Sequence, residues 1–166
     1  MLRLKSQSLS ILFGTGLVLL LYWLFAPSSD YARHPIYDEK ADGAAQIATA
    51  LAQAKAGHKL VLLQFGANWC VWCHALHAFF DADPPVKAEL AQHYVLVLID
   101  TNNGHNAATI QKYGFPTDLG LPVLVVLNAD DHSLAVQSND QLVNPDSGNY
   151  ESAKVLAFLK KWDAGL

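Results

Sequence analysis

The hydrophobic pattern changes period several times along the chain, and each change marks an element. Leu9 to Ala26 is an 18-residue run of aliphatic, aromatic and small residues, apolar on every face. Pro27 to Lys40 then mixes Pro, Ser, Asp, Arg and His without periodicity and reads as a tether. Ala44, Ile47, Ala48, Leu51 and Ala54 fall on one helical face, with Gly57 as a stop. Leu60 to Phe65 is a short apolar run that suits a buried strand. A second helix is predicted from Cys70 to about Phe80. Asp83-Pro84-Pro85 has the form of a cap with proline opening a short helix through Gln92. Tyr94 to Ile99 is a second strand ended by Asp100, and Asn102-Asn103-Gly104 is a turn. Ala107 to Tyr113 is a short helix and Val123 to Leu127 a third strand. Asn128 to Asp131 is a hairpin turn, Ser133 to Val136 a fourth strand, and Ser138 to Tyr150 a polar loop. Val155, Leu156, Leu159 and Trp162 mark a final amphipathic helix, with Lys160 and Lys161 near its C-terminal dipole.

Helices alternate with strands at first, and the chain closes with a hairpin and a helix. That order predicts an α/β fold, a mixed sheet of about four strands flanked by helices. The first two strands should be parallel and the last two antiparallel.

The apolar run is long enough to matter on its own. A helix crossing a bilayer needs about 20 apolar residues, with a lower limit near 17, whereas a cleaved signal has an apolar core of roughly 7–15 and a small-x-small site. Here Leu24-Phe25-Ala26 places a bulky residue inside that site, and Tyr22-Trp23 sit where aromatic rings favour the interface. The segment therefore reads as an uncleaved transmembrane anchor. Arg3 and Lys5 before it predict residues 1–8 inside and the domain outside. The organisation expected is 1–8 cytoplasmic, 9–26 anchor, 27–40 tether and 41–166 domain. In a bacterium this is a single-pass inner-membrane protein facing the periplasm.

Charge excludes one function class. Beyond residue 29 there are nine basic against fifteen acidic residues, so nothing suggests a nucleic-acid partner. Two cysteines cannot build a multi-disulfide framework. Both lie in Trp69-Cys70-Val71-Trp72-Cys73-His74, at a strand-to-helix junction. A helix N-terminus presents free N–H groups and a positive dipole end, which favour a thiolate at the first cysteine. One helical turn brings the second sulfur close enough to attack a mixed disulfide formed on the first. Cys73, Leu76 and Phe80 share a face that should be buried, while Cys70, His74, His77 and Asp81 share the opposite one. Cys70 is thus the expected exposed nucleophile and Cys73 the buried resolving thiol. His74 and His77, if protonated, would favour the Cys70 thiolate; otherwise they are solvated side chains.

Over most of residues 41–166 the sequence resembles the thioredoxin superfamily. The resemblance rests on Val61 to Cys73, Tyr113-Gly114 and Gly120-Leu121-Pro122-Val123. The Trp-Cys-x-Trp-Cys-His variant is most similar to a bacterial envelope subgroup related to the C-terminal domain of the transmembrane thiol:disulfide interchange protein. The resemblance implies a redox-active Cys70–Cys73 disulfide and a thiol–disulfide oxidoreductase. It also implies that the proline opening the third strand, Pro122, is cis and lies against the disulfide. An X–Pro bond is cis in only about 5–6% of folded cases; Pro116 is the competing candidate. Trp69, Trp72, Leu121 and Pro122 should ring the disulfide and receive the backbone of a protein substrate.

Two departures from the family stand out. A buried Asp six residues before the first cysteine often serves the second thiol as proton acceptor; Gln64 stands there and cannot take a proton. The intervening Val71-Trp72 is neither the Gly-Pro of strong reductants nor the Pro-His of strong oxidants, so the motif leaves direction open. Reduction of substrate disulfides, with a membrane donor returning electrons and no cofactor, is the reading taken.

Three rivals use the same residues. Cys70 to His74 spells a c-type haem attachment motif, but its Met ligand would have to be Met1. Zinc on Cys70, Cys73, His74 and His77 would require four ligands converging from opposite helix faces. A module that only binds partners through its apolar rim would survive loss of Cys70.

Overall fold

The computed structural model describes residues 34–163. The expected cytoplasmic start and anchor, 1–26, and the first half of the tether lie outside these residues. Among the described residues no helix is long and apolar enough to cross a membrane.

The first helix, α1 (Gly43–Gly57), starts where the Asp42 carboxylate accepts from the N–H groups of Ala44 and Ala45. It stops at His58, whose left-handed backbone (φ 49°) closes the last turn. Strand β1 (Leu60–Gly66) follows and is buried along its whole length. After it come α2 (Val71–Ala82), α3 (Pro84–His93), β2 (Tyr94–Asp100), α4 (Ala107–Lys112), β3 (Val123–Leu127), β4 (Ser133–Ser138) and α5 (Ser152–Asp163). Asp83 caps α3 as the sequence suggested, accepting from Val86 N at 3.0 Å with prolines in the first turn.

The sheet order is β2-β1-β3-β4. Strands β1 and β2 run parallel, and β3 is antiparallel to both β1 and β4, as the alternation of elements predicted. Burial of β1 on both faces explains its uninterrupted apolar run.

Side chains alternate between the two faces with the period of a strand. Leu60 and Leu62 of β1 join Tyr94, Leu124 and Val126 under α2, α3 and α5, where Leu76, Phe80, Val86, Leu90, Val155 and Leu159 pack. Val61, Leu63 and Phe65 point the other way, towards Ile47, Ala50 and Ala54 of α1 and Tyr113 after α4. Gln64 has the parity of the first face and is fully buried there.

Two stretches differ from the pattern-based reading. The tether is not free along its full length: Ile36 and Tyr37 give their N–H groups to Asn68 Oδ1 at 3.0 and 2.9 Å, and Tyr37 is buried. The 138–150 segment is more ordered than a polar loop. Leu142 enters the core, and Val143 and Tyr150 form an isolated bridge.

Candidate active site

Chain direction and register bring the site together at one end of the sheet. Strand β1 ends at Gly66 and gives way through Asn68 to Cys70, while Val123, paired with Phe65, begins β3. Pro122 therefore stands beside the turn that carries the cysteines. The Leu121–Pro122 peptide is cis, and among the described residues it is the one cis bond. Pro116 instead opens a short 3₁₀ turn, Pro116–Leu119.

Cys70 and Cys73 are joined in a disulfide with Cα atoms 5.2 Å apart. Cys70 is the N-cap of α2, with extended backbone angles, and its Sγ accepts from Cys73 N at 3.2 Å. The same N–H and the helix dipole would stabilise a thiolate on Cys70 after reduction. Cys73 is fully buried, whereas Cys70 keeps 5% of its surface. The order of accessibility is as expected, but Cys70 is recessed rather than openly exposed.

Trp69 and Trp72 flank the disulfide, 62% and 44% exposed. The Trp69 indole N–H donates to Asn102 Oδ1 at 3.0 Å. Trp72 packs edge-on against Tyr150, and the Tyr150 hydroxyl donates to the Trp72 carbonyl at 3.0 Å. Beside them runs an open groove of about 310 Å³ lined by Trp72, Ala75, Phe79, Gly148 and Tyr150. Leu121 is half-buried and packs against the disulfide with Ile36 and Leu98.

The two histidines do not share an open face with Cys70. His74 is buried, and its Nε2 lies 2.9 Å from the Asn68 carbonyl oxygen. His77 lines a separate cleft with Phe80, Asp81, Lys87 and Leu90, towards α3. The physical reason is that Cys70 is a cap and not part of the helical wheel, so counting four and seven residues onward from it gives the wrong face. Haem attachment and a Cys–His zinc site would both need sulfurs that are here bonded to each other, and His74 is already engaged. Among the described residues no group of three or more His, Cys, Asp or Glu is placed to hold a metal ion.

Three neighbours of the disulfide carry no motif of their own. Tyr37 covers Cys73 from the N-terminal segment and clusters with both cysteines. A Cβ added to Gly66 would stand 2.2 Å from Tyr37 Oη and 2.7 Å from Cys73 Sγ, so only glycine leaves room for this approach. Gln64 donates from Nε2 to Tyr37 Oη at 2.7 Å and to the Cys73 carbonyl at 3.1 Å. Asp100 ends β2 opposite Gly66, 1% exposed. Burial pushes its carboxyl above the usual carboxylate range, opposed by the Asn102 N–H, raised further by Glu39 and opposed by His105. Burial likewise pushes the Tyr37 phenol upward, so it stays protonated. The break in apolarity at Asp100, directly after a buried strand, is a sequence signal for that residue; Tyr37 has none.

A four-stranded mixed sheet, a Cys-x-x-Cys pair at a helix start and a cis-proline strand opposite it define a thioredoxin-like disulfide oxidoreductase. Comparison with known proteins agrees. Residues 43–129 match the model of the family described as thioredoxin-like, and the chain belongs to that family. The thiol:disulfide interchange protein DsbD of Vibrio vulnificus (strain YJ016) is 34% identical over 114 residues, which is 68% of this chain but 19% of that relative. The chain thus spans about a fifth of the length of that curated relative. A crystal structure of a disulphide isomerase from Xylella fastidiosa Temecula1 superposes with a TM-score of 0.66 at 35% identity, covering 76% of this chain and 95% of that one. The oxidised C-terminal domain of Neisseria meningitidis DsbD shares the fold, with a TM-score of 0.53 at 22% identity over 73% of this chain and 96% of that one.

Proposed function

We propose that this protein is a membrane-anchored reductant of protein disulfides, held in the bacterial inner membrane by residues 9–26 with its domain in the periplasm. The observation that carries the reading is the asymmetry of the pair: Cys70 Sγ sits at the start of α2 and Cys73 is sealed behind it. In the reduced protein the Cys70 thiolate attacks a substrate disulfide, forming a mixed disulfide and expelling one substrate thiolate. Cys73 then attacks Cys70, restoring the internal disulfide and releasing the second substrate thiol. Trp69, Trp72, Leu121 and Pro122 form the rim on which the substrate's backbone lies, and the groove beside Trp72 and Tyr150 takes its flanking apolar side chain. A reductant in an oxidising compartment consumes electrons, so a membrane donor re-reduces the pair. The likeness to a thiol:disulfide interchange protein supports exchange between thiols and disulfides as the chemistry.

The test is thiol trapping of the full chain across glutathione and dithiothreitol buffers. A midpoint near thioredoxin's, about −270 mV, is expected; one near −120 mV would make it an oxidant of protein thiols instead. In cells, Cys73→Ser should accumulate mixed disulfides with its substrates and Cys70→Ser should accumulate none. Trapping through Cys73 alone would reverse the assigned roles.

A further inference from the structure

Trp72 is held in place from outside the stretch that matches the family. That match ends at residue 129, whereas one wall of the groove beside the disulfide is made by residues 148–150. The segment behind that wall is built to keep one shape. Asn144 N donates to Asn149 O at 2.8 Å, and Gly148 N donates to Asn144 O at 2.8 Å. The Asn144 side chain accepts from Asp146 N and Ser147 N, which folds the tip back on itself. Val143 and Tyr150 bridge the base of this hairpin. Below the base Leu142 is buried in the core, its carbonyl accepts from Glu151 N, and Lys154 Nζ donates to the Val143 carbonyl at 2.7 Å. Gly148 runs past the Trp72 ring, where an added Cβ would stand 3.9 Å from Cη2.

Tyr150 joins the hairpin to the active site. Its ring stands at 85° to that of Trp72, centroids 6.2 Å apart, and its centroid lies 5.7 Å from that of Phe79. Its hydroxyl reaches the Trp72 carbonyl at 3.0 Å and the Asn139 side chain. Burial pushes the phenol upward, so it keeps its proton and remains a donor at neutral pH. Trp72 is thus fixed by both its ring and its backbone, yet it stays open to solvent on its other side. An indole held in that way is a wall of the groove and not part of the core.

The occupant follows from position and lining. Trp72 stands between the two cysteines in sequence, so a polypeptide joined to Cys70 through its own sulfur lies at the mouth of the groove. From Trp72 to Ala82 the helix α2 rises about 15 Å, which matches roughly four residues of extended chain. Ala75, Ala78 and Ala82 form a shallow floor, and the rings of Trp72, Phe79 and Tyr150 form the walls. Among the described residues no charged side chain lines the groove. An unpaired charge pressed into it would lose hydration without compensation, whereas another ring would find edges and faces to meet.

We propose that the 143–150 hairpin is the specificity element of the exchange reaction, with Tyr150 as its clamp on Trp72. It selects polypeptides that carry a large apolar side chain, aromatic above all, within two residues of the reactive cysteine, and it rejects a charged side chain there. The Tyr150 ring touches the substrate side chain, while its hydroxyl acts through Trp72 and is a positioning group. The inference rests on the proposed exchange at Cys70 and adds which polypeptides that exchange serves.

One experiment separates the two. The reduced full chain, in detergent and high salt to screen its net charge, is mixed with short glycine peptides. Each has one cysteine joined to thionitrobenzoate and a single residue, Phe, Gly, Lys or Glu, directly before or after it. The Cys70 thiolate attacks the peptide sulfur and expels thionitrobenzoate, the better leaving group. Cys73 then bonds to Cys70, and the peptide leaves as a thiolate that takes up the Cys73 proton. The second-order rate constant for thionitrobenzoate release should be about ten- to a hundredfold higher for Phe than for Gly in one of the two positions. That is the range expected from burying one large apolar side chain. Lys and Glu should be no faster than Gly in that position.

In Ala78→Trp, at an exposed position on α2, the new indole would fill the groove, and the Phe-to-Gly ratio should fall to about one. Tyr150→Ala should do the same. Tyr150→Phe, which keeps the ring and drops the hydroxyl, should lower the ratio about two- to tenfold. An unchanged ratio in Tyr150→Phe overturns the clamp. A ratio near one in the unmodified chain overturns the inference while leaving exchange intact. A full ratio in Ala78→Trp overturns it too, and that variant decides the matter if Tyr150→Ala does not fold. No release from any peptide by the unmodified chain would instead remove the proposed function.

Discussion

Gly66→Ala is the most severe test of the packing behind the disulfide. The added methyl would meet Tyr37 Oη at 2.2 Å, Tyr37 Cζ at 2.6 Å and Cys73 Sγ at 2.7 Å. None of these can yield cheaply. Asn68 holds the Tyr37 backbone through its N–H and carbonyl, Gln64 holds the hydroxyl, and Cys73 is fixed in the first turn of α2. Overpacking of a tight core costs about 1–3 kcal/mol, and three simultaneous clashes place this site at the upper end. Replacing glycine in a strand returns about 0.5–1 kcal/mol through the unfolded chain. The clash wins, and the net loss should be about 2 kcal/mol. For a domain of this size that is roughly 8 °C in Tm. Urea unfolding of the oxidised chain, followed by tryptophan fluorescence, should show a lower midpoint with an unchanged slope. In a Tyr37→Leu background the same substitution should cost about 1 kcal/mol less, because two of the three contacts are gone. A Gly66→Ala variant within about 0.5 kcal/mol of the parent in both backgrounds would refute the placement of Tyr37.

Two further outcomes follow from side chains around the same site. Asn68→Ala removes the acceptor of Ile36 N and Tyr37 N and the donor to Tyr37 O and Glu39 Oε1. It should cost about 2–3 kcal/mol and release amide exchange protection at residues 36 and 37, while protection in β1 persists; retained protection at those two amides would sink the idea. Asp100 has its folded carboxyl raised above the unfolded value of about 3.9. The native state therefore binds that proton more tightly, and the associated stability is present at low pH and lost as pH rises through the folded value. Thermal melts of Asp100→Asn against the parent should show the variant gaining from acid to neutral pH; parallel curves would contradict the burial of this carboxyl.

Much of this architecture is legible in the chain because its signals are local. Buried strands such as Leu60–Phe65 and Val123–Leu127 read as apolar runs, Asp83-Pro84-Pro85 announces a helix start, and the two cysteines frame one helical turn. The hidden parts depend on contacts distant in sequence. Tyr37 is one of two tyrosines in a polar stretch, and its burial follows from an asparagine 31 residues away. Tyr150 sits in a segment whose composition looks solvated, yet it holds the carbonyl of Trp72 across 78 residues. The histidines escape for a different reason: a helical wheel indexed from Cys70 misplaces them, because its φ of −81° and ψ of 103° lie outside the helix. Counting from Cys73 orders Leu76 and Phe80 correctly, since those residues share its turns.

The docking of residue 37 also separates two kinds of boundary. The stretch shared with the family runs from 43 to 129 and contains both sulfurs, Gln64 and Asp100. It leaves out the phenol that lies against Cys73. A transplant cut at the family limits would carry the reactive pair into a new host without its floor. Descent can therefore retune the chemistry of such a site from a leader segment while every letter of the shared motif stays constant.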